Sequence, residues 1–267
     1  MIEIVEDPTD TRLEPYQAVR ERDLVGREGR FILEGRVVLE KAVRAMPAAI
    51  ESVLLAANRR ASMAATLASL NASTPVFVAS QTVMDTIVGF PIHRGILAVG
   101  RRVDRDAQVL LSGAARLVVG LVGVANHDNM GGVFRNAAAF GADAVLLDDS
   151  CNDPLYRKAI RVSVGASLTV PFAVCGSAGA MVDRLALAEF EVVALSPSGA
   201  ETLAEYCPAR RTALLFGAEG PGLPPEILTR VRTLRVPMAG GFDSLNLATT
   251  SGIVLHHVAT WLAGSGV

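Results

Sequence analysis

At 267 residues, 51% hydrophobic and 19% charged, the chain can hold one large domain or two ordinary ones and is too apolar for intrinsic disorder. A formal net charge of −2 excludes a global positive field, so any nucleic-acid surface must be a local patch. No charged-then-apolar leader opens the chain and no uninterrupted apolar run could span a bilayer, which predicts a cytoplasmic protein with no membrane partner.

Residues 1–25 are charged, poor in apolar periodicity and punctuated by Pro8 and Pro15, and read as an extended or partly helical arm. Phe31 to Gly35 reads as a short strand into a turn, Val37–Met46 as an amphipathic helix and Ile50–Leu55 as a strand. Ala61–Leu70 is expected to be helical, Val76–Val78 a strand, Gln81–Ile87 a helix and Gly95–Val99 a closing strand. This alternation predicts a small α/β domain over residues 26–105, ended by the solvated run Arg101 to Asp106. Residues 1–105 carry 14 basic and 13 acidic side chains, against 11 and 14 in residues 106–267. That split is too even to mark a nucleic-acid face.

The second alternation, over residues 106–267, is more regular. Near-continuous apolar runs at 117–124, 144–147, 168–172, 192–195, 213–216 and 234–236 carry the pattern of parallel strands buried on both faces. Helical patterns lie between them at 133–140, 155–162, 178–188 and 225–231, and a long final helix is expected from about 245 to 262. A doubly wound parallel sheet follows. The three cysteines, Cys151, Cys175 and Cys207, fit neither a disulfide framework nor a zinc site, and no metal is expected.

The candidate chemistry sits where apolar runs break into small residues. Asn126 to Asn136 follows the first strand of the second domain and opens a helix. Gly131 and Gly132 would admit a ligand at the helix N-terminus, and Arg135 lies one turn further on. A capped helix start, with Asp128 or Asn129 as the cap, explains the same residues. Arg157, Lys158 and Arg161 precede a helix end at Ser163-Val164-Gly165, where dipole complementarity and phosphate binding are both open. Glu219 lies between glycines in the loop Gly217 to Gly222. Ser244 and Asn246 enter the final helix, as caps or as ligand contacts. The chain has neither G-x-G-x-x-G nor G-x-x-x-x-G-K-[ST], so dinucleotide folds and P-loop NTPases are unsupported.

Asn129-x-Gly131-x-x-x-Arg135, Gly217 to Gly222 and Val236-Pro237-Met238 through Ser244-Leu245-Asn246 resemble the three ordered motifs of the SpoU (TrmH-like) RNA 2′-O-ribose methyltransferases. The similarity runs from about Leu117 to the C-terminus. Phe31 to Gly35 and His93 to Ala98 resemble, more weakly, the family's ribosomal-protein-like RNA-binding domain.

The resemblance implies a SPOUT fold with a C-terminal trefoil knot, a rare exception to unknotted chains. It implies S-adenosylmethionine as cofactor, a homodimer, and an RNA substrate, with ribosomal RNA favoured over tRNA. By that resemblance Leu195, Ser196, Gly217, Ala218, Gly222, Val236, Met238, Ser244, Leu245, Asn246 and Ala248 hold the cofactor. Arg135, Asn129, Glu219, Ser244 and Asn246 form the catalytic group, and Arg135, Arg94, Arg157 and Arg161 meet RNA. The family pattern makes the arginine the base, but a guanidinium keeps its proton to above about pH 12. The expected role of Arg135 is therefore to hold a phosphate and stabilise the developing alkoxide, with Glu219 or a water relaying the proton. Asn126-His127 departs from the family's usual Asp-Pro or Asn-Pro. A tRNA substrate, or an RNA-binding protein of this fold without catalysis, are the alternatives; a Rossmann-like small-molecule enzyme fits poorly.

Overall fold

The computed structural model describes residues 2–17, 24–240 and 243–264, apart from the Arg27 side chain. Two compact units emerge, one of residues 1–103 and 155–169, the other of residues 104–154 and 170–267.

The first unit is built on the strands β1 (Ile2–Val5), β2 (Arg30–Glu34), β3 (Ile50–Ala56), β4 (Val76–Ala79) and β5 (Ile96–Arg101). Its helices are α1 (Leu24–Glu28), α2 (Arg36–Ala45), α3 (Ala64–Ala68) and α4 (Gln81–Val88). The sheet order is β1-β4-β3-β5-β2, parallel across β1, β4 and β3 and antiparallel where β5 meets β3 and β2. The expected N-terminal arm is corrected here. Residues 2–5 form an edge strand on β4, and the 3-10 turn Thr11–Tyr16 buries Leu13 and Tyr16 completely. Tyr16 reaches Ser52 by a 2.7 Å hydroxyl–hydroxyl hydrogen bond, and burial pushes its phenol above the usual range. Four residues are too few for alternation to stand out, and the apolar side chains Ile2 and Ile4 face solvent at the sheet edge. The rest of the expected arm, residues 18–23, lies outside the described residues.

The second unit opens with α5 (Ala107–Leu111), β6 (Leu117–Leu121), α6 (His127–Ala139) and β7 (Ala144–Leu147). The chain then forms α7 (Arg157–Val162) and a 3-10 turn at Ala166–Leu168, both packed with the first unit rather than with the domain expected over 106–267. The apolar run expected as a strand at 168–172 yields a strand only at β8 (Phe172–Val174). Gly165 and Val164, both at positive φ, turn the chain just before it. α8 (Ala178–Leu187), β9 (Glu191–Leu195), β10 (Glu201–Thr202), β11 (Thr212–Phe216), α9 (Pro225–Leu228), β12 (Arg232–Arg235) and α10 (Leu247–Gly264) complete it.

Every pairing in the seven-stranded sheet β10-β12-β9-β11-β6-β7-β8 is parallel. All strands therefore present their carboxyl ends at one edge, where open α/β sheets bind ligands. Val118, Val119, Leu121, Val145, Leu146, Leu214 and Leu215 are buried on both faces, as their continuous apolar runs require. Cys151 accepts from the Val124 N–H, and burial pushes its thiol up to about 12, which marks it as structural rather than reactive. Among the described residues no helix is long and apolar enough to cross a membrane.

Candidate active site

Three strand ends meet at one cavity of about 360 Å³. Leu195, Ser196 and Pro197 come from the end of β9, Gly217 to Gly220 and Gly222 from the end of β11, and Val236 and Met238 from beyond β12. Ser244 to Leu247 and Thr250 close it from the start of α10. The β11 loop is folded tightly on itself: Gly222 N–H donates to the Ala218 carbonyl at 3.0 Å, and Ala218 bridges Gly222. Gly217 sits so close to this turn that a Cβ would lie 2.3 Å from the Gly222 carbonyl carbon. The loop therefore offers backbone rather than side chains to the cavity.

The side chain of Asn246 organises the mouth. Its Oδ1 accepts from Ala248 N–H at 2.9 Å and Thr249 N–H at 3.2 Å, capping α10. Since backbone N–H groups can only donate, this fixes the amide's orientation and points Nδ2 the other way. Nδ2 donates to Asn129 Oδ1 at 2.8 Å and to Glu219 Oε1 at 3.1 Å. Asn129 is 3% exposed, so its pairing to Asn246 satisfies a buried acceptor. One amide thus joins α6, the β11 loop and α10. Replacing Asn246 with alanine is expected to cost about 1 kcal/mol as a lost cap. It also releases Glu219 and Asn129, so S-adenosylmethionine affinity, read by calorimetry, should fall about tenfold or more; unchanged affinity would leave Asn246 a cap only.

α6 begins one turn earlier than expected. Asn126, not Asp128 or Asn129, is its N-cap, accepting from Asp128 N–H at 2.8 Å and Asn129 N–H at 3.3 Å. Gly131 and Gly132 are consequently inside the helix and do not form an open anion cradle. The absent side chain of Gly132 serves packing instead, because a Cβ there would lie 2.5 Å from Ala248 Cβ. Asn136 secures the same contact, donating from Nδ2 to the Ala248 carbonyl at 2.6 Å and to Ser251 Oγ at 2.9 Å. Ala248, expected to touch the cofactor, is turned to this helix contact and does not line the cavity. The other ten residues expected around the cofactor do line it.

Arg135 is exposed on α6, two turns beyond the cap. Arg94, Arg157 and Arg161 lie in the first unit, gathered around Glu34. Pro197, Phe216, Gly220, Leu234, Leu247 and Thr250 line the cavity without having been singled out. Thr250 was within reach of pattern, being one helical turn after Asn246.

A family model described as the SpoU rRNA Methylase family matches residues 116–256. The chain belongs to the SpoU rRNA methylase family. An uncharacterized tRNA/rRNA methyltransferase of Mycobacterium bovis is 39% identical over 263 residues, covering 94% of this chain and 89% of the relative. The SpoU methyltransferase AviRb of Streptomyces viridochromogenes, solved with AdoMet, superposes with a TM-score of 0.82 at 20% identity, over 96% of this chain and 100% of that one. A structure described as an RNA 2′-O ribose methyltransferase superposes with a TM-score of 0.78 at 22% identity, over 98% and 99%. The fold of this SpoU chain is accordingly that of the SPOUT methyltransferases. Its Asn126-His127 departure keeps the helix start: asparagine caps α6, and His127 takes the first helical position, where proline is also tolerated.

Proposed function

We propose that this SpoU-family RNA methyltransferase methylates a ribose 2′-hydroxyl of RNA, ribosomal RNA in preference to tRNA. The observation that carries the reading is the joining of Asn129, Glu219 and Asn246 by one amide at the mouth of a backbone-lined cavity. The cofactor is S-adenosylmethionine, which when bound supplies an electrophilic sulfonium methyl. A cavity of about 360 Å³ with apolar Phe216, Leu234 and Leu247 and many backbone polar groups suits such a ligand. The preference for ribosomal RNA rests on the family's description and on the presence of a separate first unit.

In this reading, Arg135 holds a phosphate beside the target ribose and stabilises negative charge as the hydroxyl is deprotonated. Glu219, the carboxylate at the mouth, takes the proton directly or through one water. Asn246 holds that carboxylate in place and leaves its second oxygen for the exchange. Aligning the hydroxyl and the methyl in line provides most of the remaining acceleration. The reading includes a knotted C-terminus: β12 lies between β9 and β10, and Arg235 donates to the Gly199 and Ala200 carbonyls in the connection that follows β9.

It also includes a homodimer. α10 carries no charged residue, and its Ile253 and Trp261 are 40% and 43% exposed. They border an open depression with Val236, Pro237, His256 and His257. Large apolar side chains grouped at the surface of an uncharged helix mark a contact face. Light scattering should give twice the chain mass; a monomer at micromolar concentration would remove this part of the reading.

The deciding test is transfer of labelled methyl from S-adenosylmethionine to total bacterial RNA. Label in an alkali-resistant dinucleotide establishes 2′-O chemistry, and the size class of the labelled RNA separates ribosomal RNA from tRNA. Cofactor binding without label in any RNA would overturn the enzymatic reading in favour of an RNA-binding protein of this fold.

A further inference from the structure

α6 and α10 lie side by side in the second unit and run in the same direction. Asn129, Gly132 and Asn136 of α6, then Phe140 at its C-cap, follow one another at helical spacing. They meet Asn246, Ala248, Ser251 and His256 in that order. The seam is polar at two places, two turns apart: Asn129 with Asn246, and Asn136 with the first turn of α10.

At the second place, Asn136 Nδ2 donates to the Ala248 carbonyl at 2.6 Å and to Ser251 Oγ at 2.9 Å, and Ser251 Oγ donates to the same carbonyl at 2.8 Å. A carbonyl can only accept, which fixes the end of the amide that faces α10. Ser251 is fully buried, and both of its bonds lie within this triangle. Gly252 leaves the amide its room, since a Cβ there would lie 3.2 Å from Asn136 Nδ2. Ala248 is thereby held at both ends, its N–H by Asn246 Oδ1 at 2.9 Å and its carbonyl by Asn136.

Packing alone does not call for this arrangement. The close approach of Gly132 to Ala248 already brings the helices together, and apolar contact is non-directional. A hydrogen bond to a backbone carbonyl specifies length and direction, and so fixes how far α10 slides or turns on α6. Helix propensity does not explain the residue either, because asparagine is among the weaker formers of a helix interior.

We propose that Asn136 is a positioning residue for the cofactor mouth. It sets the register of α10 on α6 so that Asn246 can cap the helix and reach Asn129 and Glu219 at once. Asn136 does not itself line the cavity and acts through Asn246. The inference rests on the reading that this cavity holds S-adenosylmethionine, and names a residue behind its wall that decides how tightly the ligand is held.

The test is a double-mutant cycle on the full chain, with S-adenosylmethionine affinity read by calorimetry and the thermal midpoint read beside it. Asn136→Ala should weaken binding by about fivefold, the effect of one hydrogen bond. In an Asn246→Ala background the same change should weaken binding little further, although it still lowers the thermal midpoint. Two losses of affinity that multiply would make Asn136 an independent packing residue and overturn the role, as would unchanged affinity in Asn136→Ala. Asn136→Asp keeps size and shape but turns an acceptor toward the Ala248 carbonyl, and should be at least as damaging as alanine; wild-type affinity in this variant would also overturn the role. A wild-type chain that binds no S-adenosylmethionine would overturn the reading of the cavity and this role with it. The expected cycle in a chain that transfers no methyl group to RNA would instead overturn the proposed reaction and leave the role of Asn136 standing.

Discussion

Arg135→Ala is expected to lower methyl transfer by about 10²–10³-fold, the usual effect of deleting a preorganised donor that meets developing charge. S-adenosylmethionine affinity should stay nearly constant, because Arg135 is exposed on α6 and is not among the residues lining the cavity. Stability should hardly change for the same reason, since exposed substitutions away from caps and packed contacts cost little. The separation of the two readouts is what makes the result diagnostic. Single-turnover transfer measured with saturating cofactor, beside calorimetric titration of the cofactor, supplies both. A large loss of cofactor binding would move Arg135 out of the substrate role. Arg135→Lys retains charge without the planar fork, and should recover only part of the rate if two oxygens of one phosphate are held.

Gly217→Ala should be the most damaging single methyl group in the cavity proposed to hold the cofactor. The added Cβ would meet the Gly222 carbonyl carbon at 2.3 Å, Leu223 N at 2.4 Å and Gly222 O at 2.5 Å, all backbone atoms that no rotamer change can move. Relief requires opening the turn closed by Gly222 N–H and Ala218 C=O, which is the wall of the cavity. Overpacking of this kind costs about 1–3 kcal/mol. Paid in the loop's geometry, that lowers S-adenosylmethionine affinity by about 10- to 100-fold. Gly220→Ala is the control in the same loop. Nothing lies within 4 Å of its added Cβ, and only the left-handed φ of +85° opposes it, worth about 1–2 kcal/mol. Equal affinity for Gly217→Ala and wild type would show that the loop can rearrange freely, against the packed turn described above.

The parallel sheet was readable because its strands are buried on both faces: the runs through Val118, Val145 and Leu214 have no polar alternation to confuse them with surface strands. The residues around the cavity were readable for a different reason, since glycine, proline and small polar residues interrupt apolar runs where backbone must face a ligand. What escaped was non-local. Residues 155–169 carry the same helical pattern whichever unit they pack with, and contacts far apart along the chain, such as the pairing of Arg157 with Glu34 and the hydrogen bond from Lys41 to the Val164 carbonyl, reveal their place. Gly131-Gly132 was misread because glycine permits both a loop and a close helix contact; the deciding partner, Ala248, lies at the start of the last helix. Asn126 as cap was hidden by Asp128 and Asn129, equally good capping residues just downstream.

The contact of Gly132 and Asn136 with Ala248 has a thermodynamic consequence. α6 carries Asn129 and Arg135, while Ala248 lies two residues beyond Asn246, so the helix that meets the nucleotide in the proposed reading packs directly on the segment that borders the cavity. If occupancy of one place shifts this contact, linkage requires the effect on the other to be equal in both directions. A ligand that tightens the α10 entrance by tenfold for RNA must itself be held tenfold more tightly once RNA is present, and the demethylated cofactor, lacking the charge and the methyl group, is the species whose release this coupling would govern.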